Sequence, residues 1–301
     1  MAAAPPDSVP ASDVERYHAA ALEMADEVRR IIRPALERGF DVKIKADASV
    51  VTDVDQAVER RLREMITGWF PEHGVIGEEY PPTRPDSPWQ WILDPIDGTE
   101  EFVHGMPTWG AILALHHRGA PIVGVIDHPA LDLRVNAGRG LGAYRNGVRI
   151  RLADTPASAP PEKIRLVLSA RLNFARHIDE GPVFDALTRQ FPNHRIFRAA
   201  YAQTAAVTGA VDAMVDMHNQ VWDLAAGQVL IEEAGGRYAL VRDFLAADGA
   251  RRLSAVFGKP AAVDRLLALF CKHGGPEMAP IPPGWLGPPR QSRGGPRYPG
   301  S

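Results

Sequence analysis

Acidic side chains stand at the ends of three separate segments of this sequence. Asp94 and Asp97 follow a run of apolar residues. Glu78 follows a second such run, and Asp223 precedes a predicted helix. Two carboxylates about 4 Å apart repel by roughly 4 kcal/mol at an effective dielectric constant near 20, so a convergent group requires cations or protons. Oxygen ligands favour Mg²⁺, Mn²⁺ or Ca²⁺, and the nearby sequence lacks the cysteine or paired-histidine spacing typical of zinc sites. The sequence therefore predicts a divalent-cation site.

The segment from Asp94 to Thr99, which reads Asp-Pro-Ile-Asp-Gly-Thr, is the densest part of this pattern. A rigid proline and a flexible glycine shape the chain where a buried strand is predicted to end. An ordinary turn uses the same residue types. That interpretation is weakened because Glu78 and Asp223 also stand at the ends of segments. The haloacid-dehalogenase phosphatases, which form a phospho-aspartate, need two aspartates separated by one residue. Two residues separate Asp94 from Asp97, which disfavours that mechanism.

Two amphipathic helices are predicted to precede the first strand. Ser12 and Glu15 form a capping-box pattern before apolar residues at helical spacing, which predicts a helix that ends near Gly39. A second apolar stripe follows Thr52 and ends at Pro71. Short apolar runs then predict the strands of one sheet, at residues 75–76, 91–93, 111–115 and 122–126.

The second half of the chain alternates between strand and helix patterns. After a proline-rich linker at 156–161, strands are predicted at 164–168, 213–215 and 238–241, and helices near 184–189, 203–208 and 224–234. Such alternation is typical of a layered α/β fold. The predicted organisation is a flexible N-terminus, a lobe with the metal site, a second α/β lobe and a disordered Pro/Gly-rich tail, at residues 1–11, 12–155, 156–272 and 273–301.

The composition favours a small-molecule ligand. The 301 residues include 34 Lys and Arg against 37 Asp and Glu, which gives no general electrostatic reason to expect nucleic acid or a membrane as partner. No leader-like N-terminus and no apolar stretch of about 18 residues is present, so we expect a cytoplasmic protein. Cys271 is the only cysteine, which excludes an internal disulfide, and its apolar neighbours predict a buried packing role.

Three motifs in order resemble those of the inositol monophosphatase family. They are Glu78-Glu79, the segment 94–99, and Trp222-Asp223 followed after eleven residues by Gly235-Gly236. The segments 45–52 and 124–129 are similar to the histidinol-phosphate phosphatase branch of that family. The resemblance covers residues 13–272 and implies an α/β (α+β) fold arranged as a layered αβαβα sandwich. It also implies a homodimer that uses two or three Mg²⁺ ions, for which Mn²⁺ can substitute.

The resemblance also implies a role for particular residues. The implied metal ligands are Glu78, Asp94, Asp97, Asp223 and the backbone carbonyl of Ile96. The residues implied to hold and deprotonate the attacking water are Thr99 and Asp55. Substrate contacts are implied for Asp97, for Gly98 and Thr99, whose amides would cradle phosphate oxygens if they begin a helix, and for Asp216 with the stretch 218–220.

The motifs separate possible substrates poorly. The resemblance implies a Mg²⁺-dependent phosphomonoesterase for histidinol phosphate or an inositol monophosphate. The alternatives are a phosphatase for a bisphosphorylated nucleotide or sugar, such as adenosine 3′,5′-bisphosphate or fructose 1,6-bisphosphate, and a non-catalytic metal-binding protein. One departure from the family stands at Val50, where the family usually has proline in a mobile loop. The lost rigidity of this loop affects its closure and a third metal position.

Overall fold

The computed structural model describes residues 9–45 and 49–273. The predictions for residues 1–8, for 46–48 in the predicted mobile loop and for the tail from residue 274 lie outside the described residues. No helix in the described ranges combines the length and the apolar character that crossing a membrane requires.

Two long helices begin the described chain, with a short hairpin between them. They are α1 (Ala11–Arg38) and α2 (Asp53–Trp69), and the hairpin pairs β1 (Val42–Ile44) with β2 (Val50–Thr52). The predicted capping box at Ser12 and Glu15 is wrong, because α1 has Pro10 at its N-cap and no side-chain cap. A capping box occurs instead at α2, where Thr52 and Asp55 bond each other's backbone amides.

A seven-stranded sheet follows, with its strands in sequence order. Its members are β3 (Gly74–Gly77), β4 (Trp89–Asp97), β5 (Gly110–His117), β6 (Ala120–His128), β7 (Leu133–Gly138), β8 (Gly142–Arg145) and β9 (Val148–Ile150). Only the β3–β4 pair is parallel among these neighbours. A short helix, α3 (Thr99–Val103), follows β4. The four predicted strand runs all fall within β3, β4, β5 and β6.

The second sheet has five strands in the order β11-β10-β12-β14-β13. They are β10 (Leu166–Leu168), β11 (His194–Ile196), β12 (Ala213–Asn219), β13 (Arg237–Leu245) and β14 (Arg251–Gly258). The helices of this half are α4 (Gly181–Gln190), α5 (Ala199–Val207), α6 (Val221–Leu224), α7 (Gly227–Glu233) and α8 (Pro260–His273). The single helix predicted at 224–234 is divided into α6 and α7.

The contacts between elements build five layers. Helices α1 and α2 pack on one face of the seven-stranded sheet, and α5 and α7 lie between the two sheets. Helices α4 and α8 pack together, and α8 contacts strands β13 and β14 of the five-stranded sheet. Each interlayer space holds its own cluster of buried apolar side chains, and burial of such surface is the main favourable contribution to folding. The predicted αβαβα sandwich is confirmed.

Two elements near the C-terminal end were not predicted. Strand β14 begins with Arg251 and Arg252, two cationic residues that normally indicate exposed chain, yet the whole strand is buried. Arg251 is paired with Asp243, and Arg252 is paired with Asp248. Helix α8 carries Cys271 on its exposed side, so the predicted packing role of this cysteine is wrong.

Candidate active site

The carboxylates of Asp94, Asp97 and Asp223 converge. Each offers an oxygen within 4.8 Å of the others, and these atoms form a group able to hold a metal ion. Asp94 and Asp97 lie at the end of β4, where the pairing with β5 shifts register between them. Asp223 comes from the short helix α6, which contacts β4. The irregular end of β4 thus presents both of its aspartates to a side chain that stands about 130 residues later.

Two carboxylate oxygens in this group lack a hydrogen-bond partner. They are Oδ1 of Asp94 and Oδ2 of Asp97, and both are buried. Burial, together with the Glu78 and Asp97 carboxylates, raises the pKa of Asp94 well above its usual range. Burial and Asp223 do the same to Asp97, and burial with Glu78 raises the pKa of Asp223 to about 8. Unpartnered, mutually repelling oxygens are the donor set that a hard divalent cation binds.

Glu78 borders the same cavity but stands outside the three-carboxylate group. Its Oε1 accepts a hydrogen bond of 3.0 Å from Nζ of Lys45, which also donates to Oε1 of Glu79 at 2.8 Å. Although burial opposes it, the two carboxylates raise the pKa of Lys45. Residue-type reasoning missed Lys45, although it begins the segment 45–52 that resembles the family.

Asp55 and Thr99 meet beside the cluster. Oγ1 of Thr99 lies 3.4 Å from Oδ1 of Asp55 and 3.1 Å from the carbonyl oxygen of Ile96. The other oxygen of Asp55 accepts from the amide of Thr52 at 2.9 Å, as part of the α2 capping box. Burial raises the pKa of Asp55 to about 6. The cap therefore fixes one carboxylate oxygen and leaves the other facing Thr99.

The turn at Gly98 connects β4 to α3. Gly98 has a φ of 92°, a left-handed conformation that glycine adopts without steric cost. Helix α3 begins at Thr99, which is the condition that was set for amides that cradle phosphate. The first amides of a helix have no partner within it. Both residues border the cavity.

The cavity continues from the acidic cluster to the end of β12. Its volume is about 400 Å³. Asp216 and the stretch 218–220 border it, and burial raises the pKa of Asp216 to about 6. Polar residues that the sequence did not single out also line it: Ser169, Asn173, Arg176, Arg198, Gln203 and Arg252. They stand in loops, helices and strands without a motif, so only the fold brings them together.

A larger cavity, of about 630 Å³, lies beside α1 and has different chemistry. Its two arginines, Arg29 and Arg134, are already paired with the buried carboxylate of Asp127. None of the residues that line it carries a buried, unpartnered polar side-chain atom in the part of the chain that is described. The acidic cavity is therefore the stronger candidate for an active site.

Comparisons with known proteins agree with this geometry. The sequence profile of the inositol monophosphatase family matches residues 13–253. The chain is 37% identical over 218 residues to a histidinol-phosphatase of Mycobacterium tuberculosis, a match that covers 71% of this chain and 82% of that protein. It is 31% identical over 208 residues to a fructose-1,6-bisphosphatase/inositol-1-monophosphatase of Aquifex aeolicus, with 67% and 76% covered.

Solved structures give the same result. The inositol monophosphatase from Anabaena (Nostoc) sp. PCC 7120 superposes with a TM-score of 0.73 at 26% identity, over 87% of this chain and 97% of that one. The order of layers, the acidic cavity and the sequence matches point to one conclusion. This chain belongs to the inositol monophosphatase family.

Proposed function

We propose that this protein is a Mg²⁺-dependent phosphomonoesterase that hydrolyses histidinol phosphate or an inositol monophosphate. The observation that carries the proposal is the group of three convergent carboxylates with two unpartnered, buried oxygens, beside a polar cavity of about 400 Å³. Membership of a family of phosphoric monoester hydrolases gives the reaction class. The ion and the substrate are the parts that experiments must decide.

The residues that would hold Mg²⁺ are Asp94, Asp97, Asp223, Glu78 and the carbonyl of Ile96. Bound there, Mg²⁺ supplies charge neutralisation for the phosphate and lowers the pKa of a water molecule. Glu78 would exchange its Lys45 partner for the cation, while Lys45 keeps Glu79. Two or three ions are proposed.

The attacking water is assigned to Thr99 and Asp55. Thr99 Oγ1 accepts a hydrogen bond from the water while it donates its own hydrogen to Asp55 or to the Ile96 carbonyl. Asp55 Oδ1, the oxygen that its capping interaction leaves available, takes the proton of the water. The amides of Gly98 and Thr99 hold phosphate oxygens at the start of α3. No covalent phospho-enzyme is needed on this route.

The alcohol portion of the substrate is assigned to the β12 end of the cavity, where Asp216 lies. Support for histidinol phosphate comes from the relative of Mycobacterium tuberculosis that is named a histidinol-phosphatase, at 37% identity. Support for an inositol monophosphate comes from the bifunctional relative of Aquifex aeolicus. That second protein is also named a fructose-1,6-bisphosphatase, so a bisphosphorylated substrate is the competing proposal. We further propose a homodimer that works in the cytoplasm.

A phosphate-release screen tests the proposal. Purified protein is assayed with histidinol phosphate, inositol 1-phosphate, fructose 1,6-bisphosphate and adenosine 3′,5′-bisphosphate, with Mg²⁺, with Mn²⁺ and with a chelator. We expect Mg²⁺-dependent release, highest with one of the two monophosphates. Asp97→Asn should lower it at least about 100-fold, whereas Asp132→Asn, a change at a side chain that is 77% exposed, should not. Release that a chelator leaves unchanged would refute the metal proposal, and preference for a bisphosphate would refute the substrate proposal.

A further inference from the structure

Glu180 is a buried carboxylate that the proposed reaction does not use. It precedes α4, and its side chain is only 1% exposed. Its Oε1 accepts from Nε and Nη2 of Arg242, at 2.9 and 2.7 Å. Its Oε2 lies 3.1 Å from Nε2 of His218. A carboxylate is buried at this depth only when its oxygens are paired, and here both are.

His218, one of these two partners, has an unusual backbone. Its φ is 59°, in the left-handed region that residues other than glycine adopt uncommonly. Such a conformation persists only where the surroundings hold it. The backbone amide of His218 donates to Oγ of buried Ser254 at 3.0 Å, and its Nε2 donates to the carboxylate of Glu180. The two contacts fix both the backbone and the ring.

This fixed residue lies inside a bulge of β12. The pairing with β14 shifts register between Asp216 and Asn219, and both of these residues border the acidic cavity. Glu180 also ends the loop 169–180, three of whose residues form another part of the cavity wall: Ser169, Asn173 and Arg176. The carboxylate of Glu180 therefore joins two parts of the cavity wall, the loop 169–180 and the bulge of β12. Both lie at the end of the cavity that is assigned to the alcohol portion of the substrate.

A second contact reinforces the same junction. Nε of Arg252 lies 3.2 Å from Nε2 of His177, in the loop, and its Nη1 donates to Oε1 of Gln220 at 3.0 Å. Gln220 directly follows β12 and borders the cavity. The loop and the strand end are thus held together at two points.

The wall that these contacts hold carries polar atoms with no partner in the described chain. They are Oγ of Ser169 and Nδ1 of His218, both buried. A buried polar atom without a partner costs free energy, and a polar ligand that bonds it removes the cost. These two atoms, on residues that both border the cavity, indicate that the wall is shaped for a bound polar group.

We propose that Glu180 is a positioning residue for the alcohol portion of the substrate, acting through His218 and through the loop that it ends. The proposal rests on the proposed function and adds to it a determinant of substrate selectivity. Its effect is on binding of the alcohol, because neither Glu180 nor His218 belongs to the carboxylate group that would hold metal and phosphate.

The test replaces Glu180 by glutamine. An amide cannot accept hydrogen bonds on both of its terminal atoms, so either Arg242 or His218 loses its partner. We expect Glu180→Gln to raise KM for the preferred monophosphate about tenfold, and to change kcat and the inhibition constant of inorganic phosphate by less than about threefold. The matched control is Asp185→Asn, an exposed carboxylate on α4 that pairs with Arg171 of the loop, and its KM should equal that of the wild type.

A second variant separates positioning from loss of folding. His218→Asn keeps a residue that tolerates the left-handed conformation and removes the contact with Glu180, so it should reproduce the rise in KM. The proposal would be overturned if both variants changed kcat, KM and the inhibition constant of inorganic phosphate by the same factor, or if they changed none of them. A wild type without turnover would instead refute the proposed function. In that case calorimetry measures the binding of the monophosphate and of inorganic phosphate to the wild type and to both variants. Weaker binding of the monophosphate with unchanged binding of phosphate would support the role of Glu180.

Discussion

Asp94 has opposite effects on stability and on activity. Its carboxylate is 1% exposed, lies among like charges and leaves Oδ1 without a partner. Without a cation this arrangement destabilises the folded state, because either the charge is buried or a proton must be taken up. With a cation the same oxygen becomes a ligand. A site that binds metal tightly is therefore expected to be poorly stable when empty.

The variant Asp94→Asn should separate these two effects. The neutral amide has nearly the same shape and removes the repulsion, so we expect the free energy of unfolding of the metal-free protein at about pH 8 to rise by about 1 to 3 kcal/mol. Loss of a metal ligand should lower Mg²⁺-dependent phosphate release at least about 100-fold. Denaturant unfolding in chelator and a phosphate assay measure the two quantities. Lower stability together with unchanged turnover would refute the ligand assignment.

At the residue scale, the sequence predicted the acidic members of the site better than the polar ones. Three aspartates at element ends could be predicted to converge, because such residues are rarely gathered without a cation. Lys45 could not be placed, since its pairing with Glu78 and Glu79 depends on how β1 and β3 are arranged in space. The stretch 218–220 was expected near the substrate, but the left-handed backbone of His218 could not be predicted, since it accompanies a register shift that the residue types do not indicate.

At the scale of elements, the packing of α7 on β6 depends on Gly124. A Cβ atom at this position would stand 2.8 Å from Cγ1 of Val229 and 3.0 Å from the carbonyl oxygen of Ala226. The first of these distances is too short for carbon atoms, so Val229 of α7 would have to move. The neighbouring strand β5 holds the segment that joins α6 to α7, because Nε2 of His116 lies 2.8 Å from the carbonyl of Ala225. Gly124 therefore lets α7 pack closely on β6, directly after α6, which carries Asp223.

Gly124→Ala should lower the free energy of unfolding by about 1 to 3 kcal/mol, because the added Cβ atom forces Val229 and α7 away from β6. The matched control is Gly68→Ala in α2, where an added Cβ meets nothing within 4 Å. That change should raise stability by about 0.5 to 1 kcal/mol, since alanine favours a helix. Chemical denaturation of both variants checks the pair. If both changes moved stability in the same direction, the assigned contact would be wrong.

Elements whose apolar residues recur with a clear period could be predicted from the sequence. Elements whose burial depends on ion pairs could not. The apolar stripes of α1 and α2 and the apolar run in β5 indicated their structures directly. Strand β14 is buried through its pairs with Asp243 and Asp248, which stand on or beside its neighbour β13. The helix start at Pro10 escaped prediction because Ser12 offered a better cap in sequence than the fold uses.

At the scale of the whole molecule, the site lies where the two sheets come together. Asp94 and Asp97 belong to the seven-stranded sheet, whereas Asp216 lies in β12 of the five-stranded one. Helix α6, which carries Asp223, contacts both β4 and β14. Binding of a cation to Asp94, Asp97 and Asp223 would therefore link β4 to α6, which contacts both sheets, and the stability of the whole fold should depend on metal and pH.

The direction of the pH effect follows from the carboxyl groups. The pKa is raised to about 7 for Glu79 and about 8 for Asp223, mainly by burial, and it is raised well above its usual range for Asp94 and Asp97. In the unfolded chain these groups ionise near pH 4, so above that pH the folded state binds more protons than the unfolded state. Stability is then lost as the pH rises through the folded pKa values. Histidines such as His116, whose pKa burial lowers to about 4, act in the opposite sense, and only below about pH 6.5.

We therefore expect the metal-free protein to lose about 1 to 3 kcal/mol of unfolding free energy between about pH 6.5 and about pH 8.5. Mg²⁺ at about 100 times its Kd should add roughly 2.7 kcal/mol where the carboxylates are ionised, and less at the lower pH, where protons compete with the cation. Denaturant titrations at both pH values, with Mg²⁺ and with chelator, measure these differences, and Asp94→Asn should flatten the pH dependence. If the metal-free protein became more stable toward pH 8.5, or if Mg²⁺ stabilised it equally at both pH values, the carboxylates would not be the groups that join the sheets through a cation.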